Sequence, residues 1–193
     1  MVCPLHPRLA EQIAEELGSE LVPTDARTFA NGEIYARYDE SVRGSDAFVI
    51  QSHTSPINEW LMEQLIMIDA LKRASAKRIT VVSPFYPYAR QDKKGRGREP
   101  ISARLVADLY KAAGADRIMS VDLHAAQIQG FFDGPVDHLF AKPVLLDYYE
   151  RTLSPEDRRF DKLKVLSIAP LLSMAIKEVF EDGSVTSLFD GKA

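Results

Sequence analysis

The segment Pro84-Phe-Tyr-Pro-Tyr-Ala-Arg-Gln-Asp-Lys-Lys-Gly-Arg-Gly-Arg-Glu-Pro100 carries the densest chemistry in this sequence. Two prolines and three aromatics stiffen its front. Behind them Arg90, Lys93, Lys94, Arg96 and Arg98 stand against the lone Asp92, four net positive charges within nine residues. Basic side chains around glycines at the end of an apolar strand suit a polyanion that arrives, is clamped and leaves. A solvated surface loop is the plainer reading of such a charge run. A nucleic-acid patch is disfavoured by the acidic whole, with net charge −4 and pI about 5.6. A nucleotide polyphosphate fits the segment best.

A second group of donors lies in Asp122-Leu-His-Ala-Ala-Gln-Ile-Gln-Gly-Phe-Phe-Asp-Gly-Pro-Val-Asp137. It places Asp122, His124, Asp133 and Asp137 within sixteen residues. Carboxylates near phosphates commonly hold magnesium, which takes few protein ligands and keeps several waters. Against that stand turn chemistry for Asp133-Gly-Pro, a capping role for Asp122 and a hydrogen-bonded structural His124. A third segment, Phe29-Ala-Asn-Gly-Glu-Ile-Tyr35, reads first as a tight turn needing positive φ. Alternatively, Phe29 stacks on a planar ring while Asn31 and Glu33 bond its edge or sugar. Neither a Walker phosphate loop, a zinc spacing nor a nucleophile elbow is present.

The elements that must carry these groups follow from periodicity. Pro7 to Leu17 sets Leu9, Ala10, Ile13, Ala14 and Leu17 on one helical face. Ile34, Ala36 and Tyr38 alternate with polar neighbours, a half-exposed strand. Ala47–Ile50, Ile79–Val82 and Arg117–Val121 are short apolar strands. Between them lie a helix from Ile57 to Leu71 and a helix from Ile101 to Ala113 that Gly114 should end. Trp60, Met62 and Met67 fall in the apolar stripe of the first of these and are expected in the core. Strand and helix in alternation predict an α/β fold with a mostly parallel sheet flanked by helices. Ligands in such folds sit beyond the carboxyl ends of the strands. The loops after Val82 and Val121 should therefore face one site.

Composition bounds the rest. At 193 residues, 46% apolar and 27% charged, the chain reads as a soluble globular protein able to bury a core. No apolar run approaches a membrane span, and the start lacks the pattern of a secretory signal. One cysteine, Cys3, excludes an internal disulfide and a cysteine-built zinc site. A cytoplasmic location is the expectation.

Several stretches resemble the ribose-phosphate diphosphokinases, the 5-phosphoribosyl-1-diphosphate synthetases. They are Phe29-Ala-Asn-Gly-Glu, Glu40-Ser-Val-Arg-Gly, Trp60-Leu-Met-Glu-Gln-Leu-Ile-Met-Ile-Asp-Ala-Leu, Pro84-Phe-Tyr-Pro-Tyr-Ala-Arg-Gln-Asp-Lys-Lys and Val121-Asp-Leu-His-Ala-Ala-Gln-Ile-Gln-Gly-Phe-Phe. The match runs from His6 to about Tyr148. It implies a phosphoribosyltransferase-like fold and transfer of the β,γ-diphosphate of MgATP to the anomeric hydroxyl of ribose 5-phosphate. It also implies that Phe29, Asn31, Gly32 and Glu33 belong to the adenosine site of one subunit. Arg90, Gln91 and Asp92 would complete that ATP site from a neighbouring subunit. His124 becomes the catalytic group at the magnesium–phosphate cluster, with Asp122, His124, Asp133 and Asp137 at magnesium positions. Ser41 and Arg43, meeting Ser184, Val185 and Thr186, would form a regulatory phosphate or ADP site in an assembly from dimer to hexamer.

Three departures from the family stand out. The usual first strand is replaced by Met-Val-Cys-Pro-Leu, and Gly95 stands where the family often has an acid. More consequentially, no Asp-Asp pair followed by a Thr-Gly-Gly-Thr ribose-phosphate loop occurs in the sequence. The expectation is an N-terminal ATP-binding domain over 1–149 and a linker over 150–162 where the family's second domain would stand. Residues 163–193, read as a strand at Leu163–Ser167, a helix at Ile168–Phe180 and a tail, should pack back on the first domain. Two functions follow: a synthetase, here only its ATP-binding and oligomerising half, or a non-catalytic relative that assembles with full-length subunits. A stand-alone phosphoribosyltransferase is disfavoured by the absent loop. The expected partners are ATP or ADP and phosphate, with ribose 5-phosphate only where a second domain is supplied, and neither nucleic acid nor membrane.

Overall fold

A computed structural model describes residues 7–152 and 166–189. Four short strands make a parallel sheet in the order β3-β4-β5-β6: β3 is Asp46–Ile50, β4 Arg78–Ser83, β5 Arg117–Val121 and β6 Val136–Leu139. Their near-continuous apolar sequences suit a sheet buried on both faces. Ala47, Val49, Ile79, Val81 and Ile118 turn to one core cluster, and Phe48, Ile50, Val82, Met119 and Val121 to the other. On the first face lie α2 (Ile57–Arg73) and α3 (Ser102–Ala113). The second is covered by α1 (Pro7–Glu16) and α5 (Ala169–Phe180). The result is a helix–sheet–helix sandwich whose strand ends are left open to function.

A two-stranded hairpin, β1 (Thr24–Thr28) with β2 (Ile34–Tyr38), leans on α2. Its Ala36 and Tyr38 pack against the first core, and the Tyr38 hydroxyl donates to the Met67 carbonyl at 3.0 Å. The turn is set by Asn31-Gly32: Gly32 takes φ +90°, its N–H meets the Phe29 carbonyl, and Phe29 N–H meets Glu33. Such a short glycine-bearing connection fixes the register of everything after it. At Gly114 the backbone takes φ +120°, and a Cβ there would stand 2.6 Å from Lys72 Cδ. At that φ glycine closes α3 without strain and without displacing the Lys72 side chain.

Several expectations need correction. In α2, Leu61, Gln64, Met67, Ile68 and Leu71 are buried, but Met62 is 52% exposed and Trp60 only partly covered. Met62 falls on the side of the helix that borders the hairpin groove rather than the sheet. The run from Asp122 to Asp137 is not one loop. It holds a 3-10 segment, Ala126–Phe131, and then enters β6, whose isolated four-residue pattern is too short to announce itself beside Gly-Pro. Beyond β6, α4 (Lys142–Thr152) runs through the start of the expected linker. The linker positions 153–162 and the strand positions 163–165 lie outside the described residues, and residues 166–168 form no strand. Ser167, one residue before the Ile168 N-cap of α5, accepts the Ala169 N–H at 3.2 Å and donates to Gln12 of α1 at 2.8 Å.

Candidate functional site at the carboxyl edge of the sheet

Three loops leave the sheet at its carboxyl edge, after Ile50, Ser83 and Val121. The second and third meet there, as their chain order requires. Val121 N–H bonds the Pro84 carbonyl, and Gln127 Nε2 donates to Asp92 Oδ2 at 2.6 Å. Asp92 is only 6% exposed, so its carboxylate joins the two loops from inside. Gln91 is turned toward α3: its side-chain oxygen accepts from Ser102 at 2.6 Å and its carbonyl from Ala103 at 3.1 Å. At the tip, Glu99 accepts the N–H groups of Gly95 and Arg96 at 2.7 and 2.8 Å, drawing the chain into a turn. Arg90, Gln91, Lys93, Gly95, Glu99 and Pro100 line a cleft of about 470 Å³.

The charges of this loop differ from the paired arginines of the strands, Arg78 and Arg117. Arg90, Lys93, Lys94, Arg96 and Arg98 are all exposed, and none has an ion-pair partner among the described residues. Tyr88 and Arg98 hold positive φ, at +58° and +69°. Backbone of that kind persists only where its surroundings over-determine it, and it clusters at ligand clamps.

Asp122 follows β5 at the same edge, again with positive φ, +46°. Its N–H bonds the Leu139 carbonyl at 2.8 Å, and Oδ2 accepts the Ala141 N–H at 3.4 Å. Asp122 and His124 are both exposed, two residues apart on one turn. Between them, Leu123 N–H donates to His138 Nε2 at 2.9 Å. Burial pushes the His138 imidazole below its ordinary value, against the opposing pull of Asp122.

Asp133 and Asp137, expected beside them, are elsewhere. Because β6 runs parallel to β5, the chain must return to the amino edge before β6 begins. Asp133 therefore precedes β6 at that edge, and Asp137 sits opposite Met119 with both carboxylate oxygens on Arg117 Nη1 at 2.9 and 2.8 Å. Among the described residues no three His, Cys, Asp or Glu side chains converge as a metal cluster. Sequence proximity suggested a four-donor site that the topology separates.

The hairpin forms a second, shallower groove of about 610 Å³, lined by Phe29, Gly32, Glu33, Ile34, Asn58, Glu59, Met62 and Ile66. Phe29 is 47% exposed and stands edge-on to Tyr35 at 6.2 Å. Arg27 lies over both rings, 5.8 and 4.8 Å from their centroids. Asn31 spends its side-chain oxygen on the Glu33 N–H at 3.2 Å, so within the chain it is a turn former. The basic cleft and this groove share no lining residue, although Tyr88 of the basic loop hydrogen-bonds Asn58 of the groove through its hydroxyl. Ser41 and Arg43 are exposed near the amino edge, just before β3. Past α5, Ser184 and Thr186 join hydroxyls at 2.6 Å, and Val185 opens the 3-10 segment Val185–Phe189.

Sequence reading passed over the first of the three carboxyl-edge loops. His53 is 2% exposed, with Nδ1 3.2 Å from the Phe85 carbonyl and 3.1 Å from Ser83 Oγ. Beside it, the Tyr110 hydroxyl donates to Gln64 Oε1 at 2.7 Å, and Gln51 Nε2 to Glu63 Oε2 at 2.9 Å. Glu63 is 5% exposed, and burial pushes its carboxyl up to about 7 against the opposing bond from Gln51. Polar Gln51-Ser-His-Thr directly after an apolar strand was the available signal, by the same edge argument that flagged the other two loops.

A parallel α/β sheet flanked by helices, with its loops gathered at the carboxyl edge, is a phosphoribosyltransferase-like fold. Residues 2–114 match the N-terminal domain of ribose phosphate pyrophosphokinase, and the chain belongs to that family. It is 75% identical over 143 residues to a ribose-phosphate pyrophosphokinase of Streptomyces avermitilis, covering 74% of this chain and 44% of that protein. A Corynebacterium glutamicum ribose-phosphate pyrophosphokinase is 67% identical over 162 residues, 84% of this chain and 48% of that one. The chain thus spans less than half the length of these curated relatives. The crystal structure of phosphoribosylpyrophosphate synthetase from Mycobacterium smegmatis superposes with a TM-score of 0.88 at 42% identity, over 95% of this chain and 99% of that chain. No described helix is long and apolar enough to cross a membrane.

Proposed function

We propose that this chain is the nucleotide-binding half of a ribose-phosphate diphosphokinase, acting on ATP and ribose 5-phosphate to give 5-phosphoribosyl 1-diphosphate and AMP. In that reaction the anomeric hydroxyl attacks the β-phosphorus, the bond to the α-phosphate oxygen breaks, and AMP leaves as the hydroxyl proton is lost. Such transfers depend on positioning and on stabilising charge spread over phosphate oxygens. The observation that carries the reading is the set of five exposed cations at the carboxyl edge that have no ion-pair partner among the described residues, beside the Asp122–His124 turn. Arg90 is the group we assign to the β,γ-phosphates, and His124 to the transferred diphosphoryl group. Phe29, with Gly32 and Glu33 in the hairpin groove, is assigned to the adenine and ribose of a nucleotide held by a second subunit. Gln91 and Asp92 shape the loop from within, and Asn31 shapes the hairpin turn.

Magnesium fits this arrangement only in part. The ion accepts hard oxygen ligands from one or two carboxylates, completing its shell with phosphate oxygens and water. Asp122 is the exposed carboxylate at the edge and would hold it, whereas Asp137 is committed to Arg117. When bound, the ion would neutralise part of the triphosphate charge. His124 is better suited to donating a hydrogen bond to phosphate than to ligating this hard cation.

Calorimetry tests the assignment. Arg90→Ala should weaken MgATP binding by about 1.5–3 kcal/mol, the range for a hydrogen bond to a charged group. Equal affinity in the two proteins would remove Arg90 from the site. The sugar-phosphate loop of the family has no counterpart in these 193 residues. AMP release dependent on ribose 5-phosphate is therefore expected to be undetectable for this polypeptide alone. Robust turnover abolished by His124→Ala would reveal a sugar-phosphate site of another kind. Light scattering should find a homo-oligomer, dimer to hexamer, that phosphate stabilises through Ser41, Arg43, Ser184, Val185 and Thr186. A monomer indifferent to phosphate would contradict that part of the reading.

A further inference from the structure

We propose that His138 is a positioning residue: its neutral imidazole accepts the Leu123 N–H and so fixes the turn that presents Asp122 and His124. The bond is 2.9 Å long and lands on the one backbone amide that separates the two site residues. An acceptor at Nε2 requires the ring proton to sit on Nδ1. β6 therefore supplies this turn with a side-chain acceptor in register with its backbone.

The turn needs such support. Asp122 holds φ +46°, a conformation that a non-glycine residue keeps only where neighbouring contacts hold it. Two consecutive amides pin it to β6: Asp122 N–H on the Leu139 carbonyl at 2.8 Å and Leu123 N–H on His138. The first is backbone and is indifferent to residue type. The second exists only because position 138 carries an acceptor of the right reach. The ring is itself held, lying 4.3 Å from the Phe140 ring at an interplanar angle of 40°. His138 pairs with Ser120 across β5, one step before the strand gives way to the turn. A side chain bound to the sheet thus dictates where the loop's carboxylate and imidazole stand. The functional weight of this latch rests on the nucleotide-site reading, while the latch itself does not.

The test uses the full chain labelled with nitrogen-15 and three proteins: native, His138→Leu and His138→Gln. Glutamine can place its side-chain oxygen near the position of Nε2 and restore an acceptor. In the native chain we expect a nitrogen–nitrogen coupling across the Leu123–His138 bond and a ring proton on Nδ1. His138→Leu should speed exchange of the Leu123 amide by about tenfold, the loss of roughly one hydrogen bond. It should also shift the Asp122 and His124 amides while leaving Val49, deep in the sheet, unmoved. His138→Gln should return both toward native. A proton on Nε2, native-like Leu123 exchange in His138→Leu, or a folded His138→Gln that restores nothing would overturn the proposal. Should His138→Leu fail to fold, the native coupling and the glutamine variant decide it. MgATP calorimetry on the same samples separates the two readings. Weaker binding in the leucine variant with recovery in the glutamine variant extends the latch to the nucleotide. A native chain that binds no MgATP overturns the nucleotide reading alone, because the amide measurements need no ligand.

Discussion

The two edges of the central sheet treat charge in opposite ways. At the amino edge, Arg78 bonds both oxygens of Asp46 at 3.1 and 2.8 Å and reaches Asp182 beyond α5 at 2.7 Å. Arg117 likewise holds Asp137. The Arg78 guanidinium draws the Asp46 carboxyl below its ordinary range. At the carboxyl edge, five cations stand exposed without ion-pair partners among the described residues, while positive φ occurs at both edges, in Tyr88, Arg98 and Asp122 here and in Ser75 and Asp182 there. Paired charge fastens elements together. Unpaired charge raises the positive potential of a cleft. Arg78 and Arg117 thus tie strands to their neighbours, whereas on the proposed reading the cations of the basic loop are left for phosphate.

The contrast can be broken or sharpened by experiment. The largest effect is expected from Glu63, buried just behind the carboxyl edge. Its folded value near 7 stands above the ordinary 4.5, so the neutral form is favoured by folding. Its contribution is complete below pH 4.5 and is lost as pH rises through about 7. The shift corresponds to something on the order of 3 kcal/mol. A protonated carboxyl would also bring a donor beside Gln51, whose Oε1 is buried without a partner among the described residues. Glu63→Gln should raise stability at about pH 8 and flatten the decline between about pH 5 and pH 8, as read by chemical denaturation. An unchanged pH profile would show that the carboxyl ionises freely in the fold.

Next comes Arg117→Met at the amino edge. With side chains 31% and 13% exposed, the pair lies between surface and core, and stranding Asp137 should cost about 2 kcal/mol. MgATP affinity should be unchanged. Asp122→Asn is the mirror experiment, keeping the shape of the turn while removing its charge. It should leave denaturation within about 0.5 kcal/mol of native and weaken MgATP relative to ATP alone. If both substitutions affect stability alike and binding not at all, the division between the edges fails. The smallest effect is Arg96→Ala, expected within about 0.5 kcal/mol of native stability, with a shallower salt dependence of nucleotide binding.

Much of this molecule was legible in its sequence, for identifiable reasons. The strands at Ala47, Ile79 and Arg117 are largely apolar because both sheet faces are covered. Gly114 announced the end of α3 because at its φ of +120° glycine fits beside Lys72 without strain. The convergence of the loops after β4 and β5 followed from strand order alone, and the Gln127–Asp92 bond is its atomic form. What escaped was long-range pairing. β6 is four residues long, and its place beside β5 sends Asp133 and Asp137 to the far edge. Arg117 and Asp137 are twenty residues apart, and the bond between them leaves no mark on local pattern. Met62 sat correctly on the helical wheel of α2, but the wheel does not say that its stripe ends in an open groove.

The central claim is that the carboxyl edge, and not the amino edge, receives the nucleotide. Amide chemical-shift mapping of the nitrogen-15-labelled chain during MgATP titration tests it most directly. The account predicts saturable shifts at Arg90–Arg98 and Asp122–His124, with a separate set at Phe29–Glu33, while Arg78, Arg117 and Asp137 stay still. Saturable shifts centred on Arg78, Arg117 and Asp137, with the basic loop silent, would contradict it.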